Sequence, residues 1–263
     1  MRNTKIDWAD ATFNPVTGCL HGCDYCYARK IATRFDGKAD KSPYMQIEGK
    51  PDIFYLHDPL RDEEGKAQPY PFGFAPTFHR YRLDETQAWK EPSTIFVCSM
   101  ADLFGDWVPD GWINEVLAAC RRASHHIYLF LTKNPNRYHS LARQKRLPAG
   151  EGFWYGTTIT TPDDLYYFAA PNLMINTFLS IEPIMAPFDR SRVSPEHFPK
   201  WVIIGAETGN RKGKVIPEKA WVDEIVAACR KLGSPVFMKE SLRTIMGDDF
   251  IQEYPWQEKG AGQ

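Results

Sequence analysis

Residues 94–132 read TIFVCSMADLFGDWVPDGWINEVLAACRRASHHIYLFLT, and the fold class follows from their pattern. Two short runs rich in β-branched and aromatic residues, at 94–99 and 127–132, enclose an amphipathic stretch at 109–124. Neither run alternates strictly between polar and apolar residues, which is typical of strands buried on both faces of a parallel sheet. A strand, a helix and a second strand in this order predict a βαβ unit.

The same pattern continues toward the end of the chain. A second amphipathic stretch covers residues 217–232. Further strand-like runs lie at residues 154–159, 176–181, 201–206 and 235–239. We therefore predict an α/β fold with mostly parallel strands and crossover helices, in which the number of strands, six or eight, stays open.

The two amphipathic stretches resemble each other. Residues 112–122 read WINEVLAACRR, and residues 221–231 read WVDEIVAACRK. Two helices packed on the sheet in the same way explain the similarity, and so does duplication of a βα unit. Either explanation predicts that Cys120 and Cys229 are buried and contribute to packing only.

Composition limits the class of protein. The chain has 263 residues, 43% of them hydrophobic, and a formal net charge of −1, which excludes a disordered or collagen-like chain. The near-zero charge argues against a strongly basic nucleic-acid coat but leaves a local basic groove open. The first residues contain charges and no apolar run of the kind that directs export, and we expect a cytoplasmic protein without a membrane partner.

The domain organisation predicted from the chain is simple. Residues 1–256 form one domain, interrupted at 36–76 by an insertion rich in proline, glycine and charge. The insertion reads as an irregular loop with one short strand at 53–56. Residues 257–263 are predicted to be a flexible tail.

Polar residues stand at or just after the ends of the strand-like runs. They are Ser99, Asp102, Lys133, Thr158, Glu182, Glu207 and Lys239. In a βα barrel the carboxyl ends of the strands form the active-site face, so these residues are expected to converge on a polar ligand. Strand ends are often polar simply because they reach solvent. The recurrence of polar residues at the ends of six strands nevertheless favours the functional interpretation.

The segment GCLHGCDYCYAR, residues 18–29, carries three of the six cysteines. Cys19, Cys23 and Cys26 are spaced C-x3-C-x2-C, and thiolates at this spacing suit an iron–sulfur cluster or zinc. A structural zinc ion requires four protein ligands, and His21 is the nearby candidate for the fourth. A four-iron cluster held by three thiolates instead leaves one iron open to an exogenous ligand.

The cysteine motif, with Tyr25 as its aromatic residue, resembles the signature of the radical S-adenosylmethionine (SAM) enzymes. The longer pattern resembles a phage-associated radical-SAM-like family of largely unassigned function, many members of which have a longer spacing between the first two cysteines. The matching segments are KIDWADATFNPVTGC (5–19), IFVCSMADLF (95–104), LTKNP (131–135), SIEP (180–183) and VIIGAETG (202–209).

The resemblance implies a TIM-like (β/α) barrel, partial or complete, with a [4Fe–4S] cluster on Cys19, Cys23 and Cys26. SAM would chelate the fourth iron, and an electron donor such as flavodoxin or ferredoxin would drive its cleavage to a 5′-deoxyadenosyl radical that abstracts a substrate hydrogen. Tyr25 would pack near the adenine or the cluster. The substrate is unidentified, and the phage association of the family suggests a nucleotide or nucleic acid that is modified or repaired.

The resemblance also suggests roles for the strand-end residues that would contact SAM. Ser99 and Asp102 would accept hydrogen bonds from the amino group of its methionine part, because no Gly-Gly-Glu motif is present. Lys133 would meet the carboxylate, and Thr158 would contact the ribose or the adenine.

Three residues remain as candidate catalytic groups. Glu182 and Glu207 would bind ribose hydroxyls or the substrate, and Lys239 would hold an anionic substrate group or balance the glutamates. Structural ion pairing among these side chains and Lys133 is the competing interpretation.

Two other classes of function stay open. One is a non-enzymatic module whose zinc or iron–sulfur site only stabilises the N-terminal region and which interacts with nucleic acid. The other is a hydrolase that uses Glu182 and Glu207 as paired carboxylates. Basic runs at 143–146 and 211–214 would hold phosphates in a nucleic-acid complex, although such runs are more often solvated loops.

Overall fold

The computed structural model of the protein describes residues 2–35, 45–47, 50–164, 175–188 and 198–257. Its strands are β1 (Ala11–Phe13), β2 (Val16–Thr17), β3 (Met45–Ile47), β4 (Lys50–Leu56), β5 (Thr77–His79), β6 (Thr94–Val97), β7 (Ile127–Thr132), β8 (Phe153–Ile159), β9 (Asn176–Ile181), β10 (Trp201–Ile204) and β11 (Val236–Met238). Its helices are α1 (Tyr27–Ala32), α2 (Asp110–Arg122), α3 (Pro135–Arg143), α4 (Lys219–Leu232) and α5 (Arg243–Met246).

The main sheet confirms the predicted fold class. Within the described residues it has seven strands in the order β1-β6-β7-β8-β9-β10-β11, and every neighbouring pair is parallel. The sheet curls into a half-barrel, which is a partial TIM-like barrel. The six strand-like runs of the sequence are the last six strands of this sheet, and the seventh, β1, is separated from the cysteine segment by the short strand β2.

The two faces of the sheet bury separate apolar clusters. The outward side chains of β6 to β8, such as Ile95 and Tyr128, pack against α2 and α3. The inward side chains form an inner cluster of Trp8, Phe96, Leu129, Trp154, Phe178, Trp201, Ile203 and Phe237. Because both faces are buried, these strands lack polar alternation in sequence.

The two cysteines of the similar helices are both buried. Cys120 on α2 is fully inaccessible and lies in the cluster under the first half of the sheet. Cys229 on α4 is equally buried under the second half. Their predicted packing role is confirmed.

A second, smaller sheet lies beside the barrel, with the strand order β2-β5-β4-β3. The strand expected at 53–56 is present and extends over Lys50–Leu56, so the insertion is more regular than predicted. Strand β2 ends one residue before Gly18, and the small sheet therefore holds the start of the cysteine segment. Residues 36–44 and 48–49 of the insertion, and 258–263 of the predicted tail, lie outside the described residues.

The segment of residues 2–10 spans the open side of the half-barrel between its two edge strands. At one edge, Arg2 forms an antiparallel bridge with Ala11 of β1. Toward the other edge, the side chain of Asp7 accepts a hydrogen bond of 2.8 Å from the backbone N–H of Glu240, just after β11. Trp8 thereby enters the inner cluster, where its ring lies 4.6 Å from that of Phe96.

Candidate functional site

A cavity of about 220 Å³ opens at the carboxyl ends of the parallel strands. All eleven site residues predicted from the sequence line it: Cys19, Cys23, Tyr25, Cys26, Ser99, Asp102, Lys133, Thr158, Glu182, Glu207 and Lys239. The expectation that the strand-end side chains converge is therefore met.

The cysteine segment is anchored through its backbone. The N–H of Gly18 donates to the carbonyl of Met100 (2.9 Å), and the N–H of Cys19 donates to the carbonyl of Phe74 (3.2 Å). Gly18 has a φ of +84°, and a Cβ atom there would lie 2.2 Å from the carbonyl oxygen of Ala75. Only glycine fits this position, because it tolerates both the positive φ and the close approach of another backbone.

The three thiols of the segment are free and partly exposed. Burial raises the pKa of the Cys19 thiol to about 12; a backbone hydrogen bond from His21 opposes this rise, and the nearby acidic groups, Cys23 and Cys26 among them, add to it. The Sγ of Cys26 accepts a 3.4 Å hydrogen bond from the N–H of Arg29 at the start of α1. Among the described residues, no three His, Cys, Asp or Glu side chains are gathered as ligands of a single metal ion.

Asp102 ties the cysteine segment to the strand ends. Its Oδ1 accepts hydrogen bonds from the Thr132 hydroxyl (2.7 Å) and the Phe104 N–H (3.0 Å). Its Oδ2 accepts from the Lys133 N–H (2.9 Å) and lies 2.7 Å from Nε2 of His21, which donates because an ionised carboxylate only accepts. Both oxygens are engaged within the protein, so the geometry favours a positioning role for Asp102 over the predicted contact with an ammonium group.

We expect Asp102→Asn to lower the free energy of unfolding by about 3 kcal/mol, because an amide replaces one acceptor oxygen with a donor and leaves buried donors unpaired. Asp106→Asn is the matched control, since Asp106 is exposed and its Oδ1 accepts one 2.7 Å bond from Asn134 that an asparagine retains. Urea denaturation of both variants measures the difference. Equal stability of the two variants would contradict the positioning role.

The acidic residues at the last strand ends are paired with cations. Glu182 pairs with Lys239, as the ion-pairing interpretation expected. Glu207 pairs instead with Arg211, whose Nε and Nη2 lie 2.6 and 2.7 Å from its two oxygens. The Arg211 side chain holds the pKa of the Glu207 carboxyl below its usual range. Arg211 belongs to the basic run at 211–214, which the sequence analysis considered as a phosphate-binding segment or a solvated loop and not as the partner of Glu207.

Two tyrosines of the cysteine segment, Tyr25 and Tyr27, contact strand-end residues of the cavity. The ammonium of Lys133 lies 5.5 Å from the centre of the Tyr25 ring, which suits a cation–π contact. The Tyr27 hydroxyl donates to the Ser99 carbonyl (2.8 Å). The Ser99 hydroxyl in turn donates to Oδ1 of Asn14 (3.1 Å). Sequence reasoning missed Asn14, which lies outside the cavity lining and holds Ser99 in place, although it belongs to the first of the segments that carry the family resemblance.

The comparisons with known proteins place the chain in one family. A family model described as "Protein of unknown function (DUF5131)" matches residues 3–244. The chain belongs to this family. No curated protein matches the chain, and no solved structure matches it. Among the described residues of this DUF5131 member, the helices are all too short or too polar to cross a lipid bilayer.

Proposed function

We propose that the protein is a radical SAM enzyme in which Cys19, Cys23 and Cys26 hold a [4Fe–4S] cluster. The observation that carries the proposal is that the three closely spaced thiols open onto the cavity in which the strand-end polar residues converge. A partial TIM-like barrel with its cavity at the carboxyl ends of the strands is a suitable frame for such a centre.

The donor set fits the cluster. Thiolates are the ligands that iron–sulfur clusters prefer, and none of the three cysteines is consumed by a disulfide. In a four-iron cluster each thiolate binds a different iron, so the sulfurs need not gather as closely as they do around a single ion. The zinc alternative gains no support from the geometry, because no three His, Cys, Asp or Glu side chains of the described residues are gathered around one point.

With SAM bound, the cluster supplies reductive cleavage of the sulfonium to a 5′-deoxyadenosyl radical, which abstracts a hydrogen atom from the substrate. The residues of the chain orient and shield that chemistry. Asp102 fixes the cysteine segment against β6 and β7 through His21, Thr132 and Lys133. The inner apolar cluster beneath the cavity excludes water from below. We further propose a cytoplasmic electron donor such as flavodoxin or ferredoxin as the partner.

The hydrolase alternative is not favoured by the carboxylates. A general acid requires a raised pKa, whereas Arg211 lowers the pKa of Glu207. Glu182 is paired with Lys239. Both carboxylates are therefore suited to orienting a ligand rather than to donating a proton.

The test is anaerobic reconstitution followed by reduction with dithionite in the presence of SAM. We expect about four irons per chain and formation of 5′-deoxyadenosine. A fully loaded, reduced protein that binds SAM but releases no 5′-deoxyadenosine in the presence or absence of candidate substrates would overturn the proposal. A single tightly bound zinc ion on the same cysteines would support the non-enzymatic module instead.

A further inference from the structure

We propose that the floor of the cavity, formed by Trp8, Phe96, Thr158 and Ser180, is a subsite for a neutral planar heterocycle of the substrate. Nucleobases are the common biological class of such rings. The inference deepens the proposed function and rests on it only in assigning the ring to a substrate rather than to another ligand.

Two buried polar atoms at the floor, Oγ of Ser180 and Nε1 of Trp8, have no hydrogen-bond partner among the described residues. Ser180 is 0% exposed and Trp8 is 2% exposed, and both residues line the cavity. Buried polar groups are nearly always hydrogen-bonded, because burial removes the hydrogen bonds that they make to water. Both atoms have almost no accessible surface, so a ligand on the floor would pair with them after a small shift of the side chains that cover them.

The two atoms define what the ligand must present. An indole N–H only donates, and a hydroxyl donates or accepts. The ligand must therefore carry at least one hydrogen-bond acceptor facing Trp8 and a second polar atom facing Ser180. A ring with carbonyl oxygens or ring nitrogens meets both requirements.

Two aromatic rings, those of Trp8 and Phe96, line the floor, with their centroids 4.6 Å apart. The ring of Phe178, which lies outside the cavity lining, packs against Trp8 at 6.4 Å. Ser180 follows Phe178 by two residues on the same face of β9, and its register partner on β8 is Thr158. Aromatic walls with a few convergent polar atoms are the usual lining of a site for a planar ring.

Three cations of the described residues lie around the cavity. Lys239 is paired with Glu182, Arg211 is paired with Glu207, and Lys133 lies against the Tyr25 ring, where the family resemblance assigns it to the carboxylate of SAM. With SAM on Lys133, a charged head group at the floor would have to break one of the two ion pairs, whereas a neutral ring would not. This selects a neutral heterocycle over a carboxylate or a phosphate.

The experiment titrates uridine, cytidine, adenosine and guanosine into the reconstituted full-length chain by calorimetry, with and without saturating SAM. The variants are Ser180→Ala and Trp8→Phe, each of which removes one of the two atoms. The matched control is Thr157→Val, because the Thr157 hydroxyl on the neighbouring strand is also buried, has no partner in the part of the chain that the structure describes, and lies outside the cavity lining.

We expect at least one nucleoside to bind in the presence of SAM, with affinity about tenfold lower in Ser180→Ala and in Trp8→Phe and unchanged in Thr157→Val. The ligand-free Ser180→Ala variant should be at least as stable as the wild type, since it loses an unsatisfied hydroxyl. If Trp8→Phe fails to fold, the affinity of Ser180→Ala for the nucleoside alone decides whether the subsite exists.

Three results would overturn the inference. The first is that no nucleoside binds. The second is that Thr157→Val weakens nucleoside binding as much as Ser180→Ala does. The third is that SAM displaces the nucleoside and Ser180→Ala weakens SAM binding. The last result would assign the floor to the adenine of the cofactor and leave the proposed function standing. Conversely, Ser180-dependent nucleoside binding by a protein that never cleaves SAM would refute the proposed function but retain the subsite.

Discussion

Cys23→Ala is expected to abolish both cluster assembly and SAM cleavage. The central thiol of the three has no substitute in the cavity, where the other thiols are Cys19 and Cys26. We expect the reconstituted variant to lose the visible absorption of the cluster, with iron content falling from about four per chain to near zero. The rate of 5′-deoxyadenosine formation should fall by at least about a hundredfold.

Cys229→Ala is the control for this variant. Cys229 is almost completely buried but lies on α4, in the apolar cluster under the far half of the sheet. It should retain iron and activity and lose only about 1 kcal/mol of stability, because a small buried group is removed. Cleavage of SAM by Cys23→Ala at the wild-type rate would end the radical SAM interpretation.

Gly18→Ala is expected to lower the free energy of unfolding by about 3–5 kcal/mol and to prevent cluster loading. The cost combines a positive φ in a residue with a side chain and a clash with the backbone of Ala75, which cannot move as a side chain would. Since Cys19 follows directly, any shift that relieves the clash moves the first thiol. Urea denaturation and iron analysis measure the two effects.

Gly22→Ala separates backbone strain from the clash. Gly22 lies in the same segment with a φ of +73°, but a Cβ atom there would have no neighbour within 4 Å. We expect a loss of only about 1 kcal/mol and retained loading of iron. Similar losses for the two variants would mean that strain alone, and not the approach of Ala75, requires glycine at position 18.

The parallel sheet could be predicted from the sequence because its signals are local. Runs such as those that became β7 and β10 are almost entirely apolar, amphipathic helices follow several of the strands, and a parallel sheet is the arrangement that buries both faces of such runs. Once the strands are parallel, their carboxyl ends meet at one edge. The convergence of Lys133, Glu182 and Lys239 on one cavity follows from that alone.

The partners of the site residues could not be predicted in the same way. Asp102 reads as a free carboxylate in sequence, yet four donors from separate parts of the fold occupy it. Several cations lie near Glu207 in sequence. The turn after β10 brings Arg211 within hydrogen-bonding distance of the Glu207 carboxylate. These choices depend on the tertiary path of loops, for which periodicity gives no signal.

The strand order of the second sheet could not be predicted from the sequence either. Strand β5 pairs with β2 and β4, which lie far apart in the chain, and the short β2 carries no pattern of its own. The bridging segment around Trp8 was likewise recognised only as part of a resemblance and not as a structural element.

The two outer edges of the curled sheet are both covered by the chain itself. On β1 the cover is the bridge from Arg2, and on β11 it is residues 251–253, whose backbone exchanges hydrogen bonds of 2.9 Å with Val236 and Met238. An uncovered edge offers a row of free N–H and C=O groups on which a neighbouring molecule can add a strand. Because an incomplete barrel would otherwise present two such edges, these short covering segments protect the protein against intermolecular aggregation as well as completing its fold.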